Sequence, residues 1–261
     1  MEPRMMDDSV LEFYEQLANA YHLIYEDWDK SIQRQAKVLD KIIQDHLHAP
    51  PRSVLDCSCG IGTQAIGLAL LGYKVHATDL SPKAVQRARG EARRLGAEVT
   101  FGVADFRALK DRVEGTFDVV ISCDNSLPHL ITDDDLVLVA QNMASKLKPT
   151  GLLLASIRDY DRLAKEKPVL DSPRVLDGPE GRRIVFQVWD WSSDGRTYTA
   201  HQFILRETKG EWKTFHCTVD YRALLRDELS EVLREAGLSA IRWHMPKESG
   251  YYQPIVTGRK H

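Results

Sequence analysis

Residues 54–82 read VLDCSCGIGTQAIGLALLGYKVHATDLSP, from Val54 to Pro82. A short apolar strand ends at Asp56. A loop of small residues follows, Cys57-Ser58-Cys59-Gly60-Ile61-Gly62, then a helix over 62–71 and a second strand, YKVHATD, ending at Asp79. Gly60 and Gly62 permit a sharp turn and a close backbone approach to a ligand. In an open parallel sheet, ligands bind beyond the C-terminal ends of the strands. The loop and Asp79 are therefore candidates for holding a nucleotide-like cofactor, with the Asp79 carboxylate accepting from ribose hydroxyls.

The wider chain limits what that unit can belong to. Its 261 residues suit one large domain, or a domain with a lid. At 43% hydrophobic and 28% charged it can bury a core. A net charge of −3 gives no general attraction to nucleic acid or to an anionic membrane. The apolar run AIGLALLG is too short to span a bilayer, and MEPRMMDDSV has neither a signal core nor a transit pattern. A cytoplasmic location is expected. Of four cysteines, Cys57 and Cys59 are separated by one residue rather than two, and no second pair has ligand spacing, so no metal is expected. Free thiols suit a reducing cytosol.

Apolar residues at helical spacing, from Val10 to Ile43, predict helix over 9–47, broken by HAPPR at 48–52. Strands and helices then alternate. SVLD is strand one and YKVHATD strand two. Ser81-Pro82 starts a helix that runs to about Leu95. EVTFGVAD is strand three and FDVVISCD strand four. Thr132 and three aspartates start another helix, and GLLLASIRD is strand five. Three strands rich in Val, Trp, Tyr and Thr follow over 182–191, 196–208 and 211–222, separated by turn signals. Helix returns over 223–236, and LSAIRWHM and YQPIVTGRK close the chain. The expected fold is α/β: a doubly wound, mostly parallel seven-stranded sheet with an antiparallel insertion after strand five. The expected division is a helical lid at 1–50, a core at 51–160 with 223–261, and a β cap at 161–222.

Two cofactors fit the glycine loop. Gly60-x-Gly62-x-x-Ala65 matches a dinucleotide fingerprint, which would imply a nicotinamide-dependent oxidoreductase. Three features weigh against it. Asp56, just before the glycines, would repel a pyrophosphate but suits a cationic amino-acid group. Strand three ends at Asp105, placed to accept from an adenine amino group. The chain also closes with a helix, a strand and a near-hairpin to a last strand. Carboxylates ending three strands describe a ligand with an ammonium, a diol and an amine, and no phosphate.

This constellation resembles the class I S-adenosylmethionine-dependent methyltransferases, over residues 53–158 and the terminal strands. Ser58 departs from the commonest form of the loop, which has a further glycine. The resemblance implies S-adenosylmethionine as cofactor and S-adenosylhomocysteine as product, held by Asp56, Cys57, Ser58, Gly60, Gly62, Asp79, Leu80, Asp105, Phe106 and Cys123.

Asn125-Ser126-Leu127-Pro128-His129-Leu130 after strand four and Arg158-Asp159-Tyr160-Asp161 after strand five are similar to segments of the glycine and sarcosine N-methyltransferase family. There the matching Asn and Arg hold the substrate carboxylate, which implies that role for Asn125 and Arg158. Asp159 replaces the family's Asn. Residues 14–34 resemble that family's lid, implying cofactor contacts for Tyr21, Trp28 and Arg34 and a substrate contact for Tyr25. His129 and Tyr160 are the candidate catalytic residues, with His129 either accepting a proton or orienting its loop. Arg presents a rigid fork to a carboxylate; the competing role for Arg158 is a surface pair with Asp159 or Asp161. Trp189, Trp191, Tyr198 and Trp212 are expected to pack the cap against the sheet.

The leading expectation is in-line methyl transfer to the amine of a small amino acid such as glycine or sarcosine. The alternatives are an aromatic amine, phenol or thiol acceptor, an oxidoreductase, or a non-catalytic cofactor-binding module. Nucleic acid is not the expected acceptor, because CDNSLP lacks the amino-methylating motif and no basic stripe is present. Oligomeric state is not legible.

Overall fold

The computed structural model describes residues 8–47, 53–178 and 181–261. The expected break at 48–52 lies outside them. Seven strands form one sheet: β1 (Ser53–Asp56), β2 (Lys74–Asp79), β3 (Val99–Val103), β4 (Phe117–Ser122), β5 (Leu147–Ser156), and the two last strands, β10 (Leu238–His244) and β11 (Ile255–Lys260). Their order is β10-β11-β5-β4-β1-β2-β3. β1 runs parallel to β2 and β4, β2 to β3, and β4 to β5; β11 is antiparallel to both neighbours. The central strands are apolar throughout because helices cover both faces. Val119, Val120, Ile121 and Leu152 to Ala155 are wholly buried. The order reverses between β1 and β4, the switch point where such sheets bind ligands.

The expected helix over 9–47 is interrupted. It divides into α1 (Asp8–Leu17), a single turn at Tyr21–Ile24, and α2 (Trp28–His46). Asp27 caps α2 by accepting from the Lys30 N–H at 3.0 Å. Arg183 of the cap donates to the free carbonyls of Leu23, Tyr25 and Glu26 at 2.9, 2.7 and 3.1 Å. Helical apolar spacing persists through this segment, but the capping aspartate and the distant arginine decide its backbone. α2 then packs on α3 (Thr63–Leu70) as a layer of the core, with Leu39 and Ile43 wholly buried. Gly67 permits the approach: a Cβ there would lie 2.7 Å from the Ala36 Cβ and 2.8 Å from the Ile32 carbonyl. The next helix, α4 (Pro82–Leu95), starts as expected, with Ser81 accepting from the Ala84 N–H at 3.1 Å.

The insertion is a four-stranded antiparallel sheet in the order β6-β7-β8-β9. Three strands match the expectation: β7 (Arg183–Trp191), β8 (Thr197–Thr208) and β9 (Glu211–Arg222). The fourth, β6 (Arg174–Leu176), is only three residues long and has no alternation to reveal it. β9 packs on α1, so cap and N-terminal segment meet over the C-terminal edge of the main sheet.

Candidate active site

A cavity of about 540 Å³, open mouth included, lies at that edge, between the β1 loop and the ends of β2 and β4. Asp56, next to Cys57 of the lining, is 1% exposed and does not itself line the cavity. One carboxylate oxygen accepts from the Ser58 N–H at 3.3 Å; the other, Oδ2, has no partner among the described residues. Burial pushes this carboxyl up to about 8, and the charges of Asp79 and Asp124 push the same way. Asp79 is better supplied. Its oxygens accept from the Gly60 N–H at 2.8 Å and the Ser81 N–H at 2.9 Å. Burial raises it to about 6, and those N–H groups oppose the shift. Each oxygen keeps a second lone pair for a ligand hydroxyl.

The loop's geometry explains its composition. Gly60 has φ +52°, and a Cβ there would lie 3.4 Å from the Tyr21 ring. Gly62, at φ +95°, starts α3 and does not line the cavity; a Cβ there would press on Ile66 at 2.8 Å. Cys57, Cys59 and Cys123 are buried free thiols lining the cavity, each pushed up by burial. Protonated thiols of this kind serve as small walls. Among the described residues, no group of three or more His, Cys, Asp or Glu is placed to hold a metal.

Ser58, Leu80, Ala104 and Phe106 also line it, with Tyr21. Asp105 stands beside it, its carboxylate bound to the Arg107 N–H at 2.8 Å and its guanidinium at 2.7 Å. Trp28 is not part of the cavity. Its indole N–H donates to Thr63 Oγ1 at 2.9 Å, and it packs with Ile32, Ile61 and Ile66 behind α3. Arg34 is exposed on a second, outer cleft.

The residues present fit S-adenosylmethionine. Asp56 Oδ2, behind the loop that walls the cavity, is an unsatisfied acceptor of the kind that suits an ammonium. Asp79 has lone pairs left for a diol, and Leu80 and Phe106 offer apolar surface to a base. No Lys or Arg lies among the described residues lining this cavity, so nothing there would neutralise a pyrophosphate.

The outer cleft, about 2050 Å³ with its open mouth, shares Tyr14, Tyr21 and Asp124 with the inner cavity. Arg158 faces it. Its guanidinium donates to the Tyr198 hydroxyl and to Gln187 Oε1, both at 2.8 Å, and lies 5.0 Å from the Trp189 ring centre and 5.4 Å from that of Tyr221. The surface pairing considered for it does not form: Asp159 and Asp161 both bind Arg226, at 2.7 and 3.3 Å. Burial works against the charge, but Tyr198, Tyr160 and Tyr221 hold its pKa up.

Asn125 spends its amide on architecture. It accepts from the Arg158 N–H at 3.0 Å and donates to the Tyr160 hydroxyl at 2.9 Å, tying the β4 loop to the β5 loop. Tyr160 is wholly buried, bonded to Asn125 and to Tyr198, and lines neither the cavity nor the cleft, so its hydroxyl cannot face a reacting methyl. His129 lies at the cavity wall, with Nε2 2.8 Å from the Tyr14 hydroxyl and Nδ1 3.3 Å from the Asp220 carbonyl. It stacks on Tyr221, and burial lowers it to about 3. The ring is therefore neutral, with both nitrogens engaged.

Tyr25 donates to Asp124 Oδ2 at 3.1 Å and Tyr252 binds Oδ1, while the Tyr251 hydroxyl stands 3.0 Å from Oδ1 and 2.6 Å from Gln35 Oε1 and can donate its one proton to either. Sequence reasoning passed over Asp124 and Tyr14. Asp124 lies one residue beyond the last named cavity residue of β4, and its hydroxyl partners come from distant parts of the chain.

Residues 54–151 match the family described as "Methyltransferase domain". The chain belongs to the class I S-adenosylmethionine-dependent methyltransferases. It is 30% identical over 189 residues to a glycine/sarcosine N-methyltransferase of Parasynechococcus marenigrum (strain WH8102), spanning 69% of this chain and 66% of that relative. Among solved structures, an S-adenosylmethionine-dependent methyltransferase from Clostridium acetobutylicum ATCC 824 superimposes with TM-score 0.71 at 19% identity, over 94% of this chain and 97% of the other. CalS10, an amino pentose methyltransferase from Micromonospora echinaspora, does so with TM-score 0.71 at 18% identity, over 93% and 95%. No helix of this methyltransferase among the described residues is long and apolar enough to cross a membrane.

Proposed function

We propose that this methyltransferase methylates the nitrogen of a small amine that carries a carboxylate, of the glycine or sarcosine kind. The observation that carries this reading is Arg158: a cation facing the cleft, oriented by neutral partners, with the nearby acids committed elsewhere. A guanidinium so held can take a carboxylate in a two-bond fork. The similarity to the glycine/sarcosine N-methyltransferase supports the same class of acceptor.

Bound S-adenosylmethionine supplies an electrophilic methyl on a sulfonium. The chain's own residues bind and align. Asp79, which lines the cavity, would hold the cofactor's hydroxylated part from the β2 end, and Asp56 would take its charged part from behind the β1 loop. Arg158 anchors the acceptor, with Gln187, Tyr198 and the Trp189 face fixing its plane. His129 Nδ1–H donates to the Asp220 carbonyl, which leaves Nε2 to accept from Tyr14. Tyr14, which lines both cavity and cleft, is thereby oriented. Such alignment, with water excluded by α1 and the cap, is the main source of rate in a displacement of this kind.

The test is S-adenosylhomocysteine release across glycine, sarcosine, dimethylglycine, aromatic amines, phenols, thiols and amino sugars, with Arg158→Ala alongside. Turnover of an amino acid that falls roughly 30- to 150-fold in Arg158→Ala is expected, because about 2–3 kcal/mol of charge-assisted hydrogen bonding is lost. Turnover confined to acceptors without a carboxylate, and untouched by Arg158→Ala, would sink this reading. That result would favour a second one, a bulkier acceptor. The cleft's size and its Phe186 and Trp189 walls suit it, and the amino pentose enzyme shares the fold.

A further inference from the structure

Asp124 follows β4 directly and lines both the cavity and the cleft. It and Asn125 have φ of +59° and +69°, two successive non-glycine residues in the left-handed region. Such a conformation costs on the order of 1–2 kcal/mol per residue and persists where the surroundings impose it. Here backbone donors fix it: the Asp124 N–H reaches Ser156 Oγ at 2.9 Å and the Asn125 N–H reaches the Ser156 carbonyl at 3.1 Å. The result places the carboxylate among three phenols, Tyr25, Tyr251 and Tyr252. Phenols orient a carboxylate without cancelling its charge. Among the described residues no ion pair joins Asp124 or Arg158 to another charged group. Tyr21 lies within electrostatic reach of both, with Asp124 and Arg158 acting on its hydroxyl in opposite senses.

One cleft therefore holds an anion and a cation, each held by neutral groups and neither paired. We propose that Asp124 is the seat of the acceptor's ammonium group, so that the site as a whole is built for a zwitterion. This rests on the carboxylate-anchoring reading of Arg158 and adds the other pole. A carboxylate of four acceptor sites that takes at most three hydroxyl donors keeps at least one site for an N–H donor. Because Asp124 borders the cavity as well as the cleft, an amine seated on it lies at the junction where methyl donor and acceptor must meet. Asp124 is then a specificity-determining residue: it selects amines over alcohols and thiols attached to the same carboxylate skeleton.

Titration calorimetry on the full chain, saturated with S-adenosylhomocysteine, tests this with three probes: sarcosine, propionate and ethylamine. In the wild type, sarcosine should bind at least tenfold tighter than propionate. Asp124→Asn should bring sarcosine to the propionate level and leave propionate within about twofold. Asparagine suits the left-handed backbone at least as well as aspartate, so the variant preserves the loop. Tyr252→Phe, at a half-exposed position, gives a milder perturbation and should weaken sarcosine severalfold while sparing propionate. Equal affinity of wild type for sarcosine and propionate overturns the proposal and needs no variant. So does an equal loss of both probes in Asp124→Asn. If ethylamine binds and is lost in Asp124→Asn while neither carboxylate probe binds, Asp124 stands and the Arg158 reading falls. If no probe binds, both fall.

Discussion

Asp56 should make cofactor-product binding depend on pH in a way that one substitution removes. With no ligand its carboxyl is held near 8, because it is 1% exposed and one of its oxygens has no donor. At pH 7 a group with that value is about nine-tenths protonated, and ionising it costs about 1.4 kcal/mol, a factor of ten. A ligand ammonium seated on it requires the carboxylate. Binding must therefore displace close to one proton at pH 7 and weaken about tenfold for each unit below 8. Asp79, near 6, is mostly ionised above pH 6.5 and adds little there. The assay is calorimetry of S-adenosylhomocysteine between pH 6.5 and 7.5 in buffers of different ionisation heat, for wild type and Asp56→Asn. The wild type should gain close to tenfold in affinity across that unit and release nearly one proton. Asp56→Asn should be flat in the same range, so titration of the ligand's own amino group cancels in the comparison. The stability of the ligand-free protein has the opposite sign: a carboxyl raised on folding stabilises below its ordinary value and loses that contribution as pH rises through 8. Parallel affinity profiles in wild type and variant would refute the assignment of Asp56 to the ligand's cationic group.

Two substitutions away from the ligand test the packing that positions the site. Gly67→Ala should lower stability by about 1–3 kcal/mol in denaturant titration, since the new methyl meets Ala36 and the Ile32 carbonyl at under 3 Å; a gain of about 1 kcal/mol, as for an open helical site, would show that α2 does not press on α3 there. Trp28→Phe should cost about 1–2 kcal/mol for the lost bond to Thr63 and the smaller ring while leaving S-adenosylhomocysteine affinity within about twofold; a tenfold loss of affinity would return Trp28 to the binding site.

The difference between what the sequence shows and what it hides is physical. The β1 loop is legible because its backbone demands are local: a positive φ at Gly60 and Gly62 needs glycine, and a strand in a two-faced sheet must be apolar up to the carboxylate that ends it. Arg158 is legible for a related reason, since a residue just past a parallel strand points into the crevice by topology alone. Side-chain commitment is not local. Asn125 has the right type at the right place, but Tyr160 and the Arg158 backbone, more than thirty residues away, consume its amide. Tyr160 carries the same kind of hydroxyl as Tyr14, yet one is sealed beneath the cap and the other borders the cavity. The division of 9–47 into two helices follows from Arg183, supplied by a strand about 160 residues on. Asp124 lies in plain view in the chain. Its role appears only when tyrosines from the N-terminal turn and the last strand connection converge on it, and when the charge it leaves unbalanced is set against that of Arg158 in the same cleft. Strand-end chemistry can be read from pattern, whereas complementarity to an acceptor is a property of charges that long-range folding brings together and leaves unpaired.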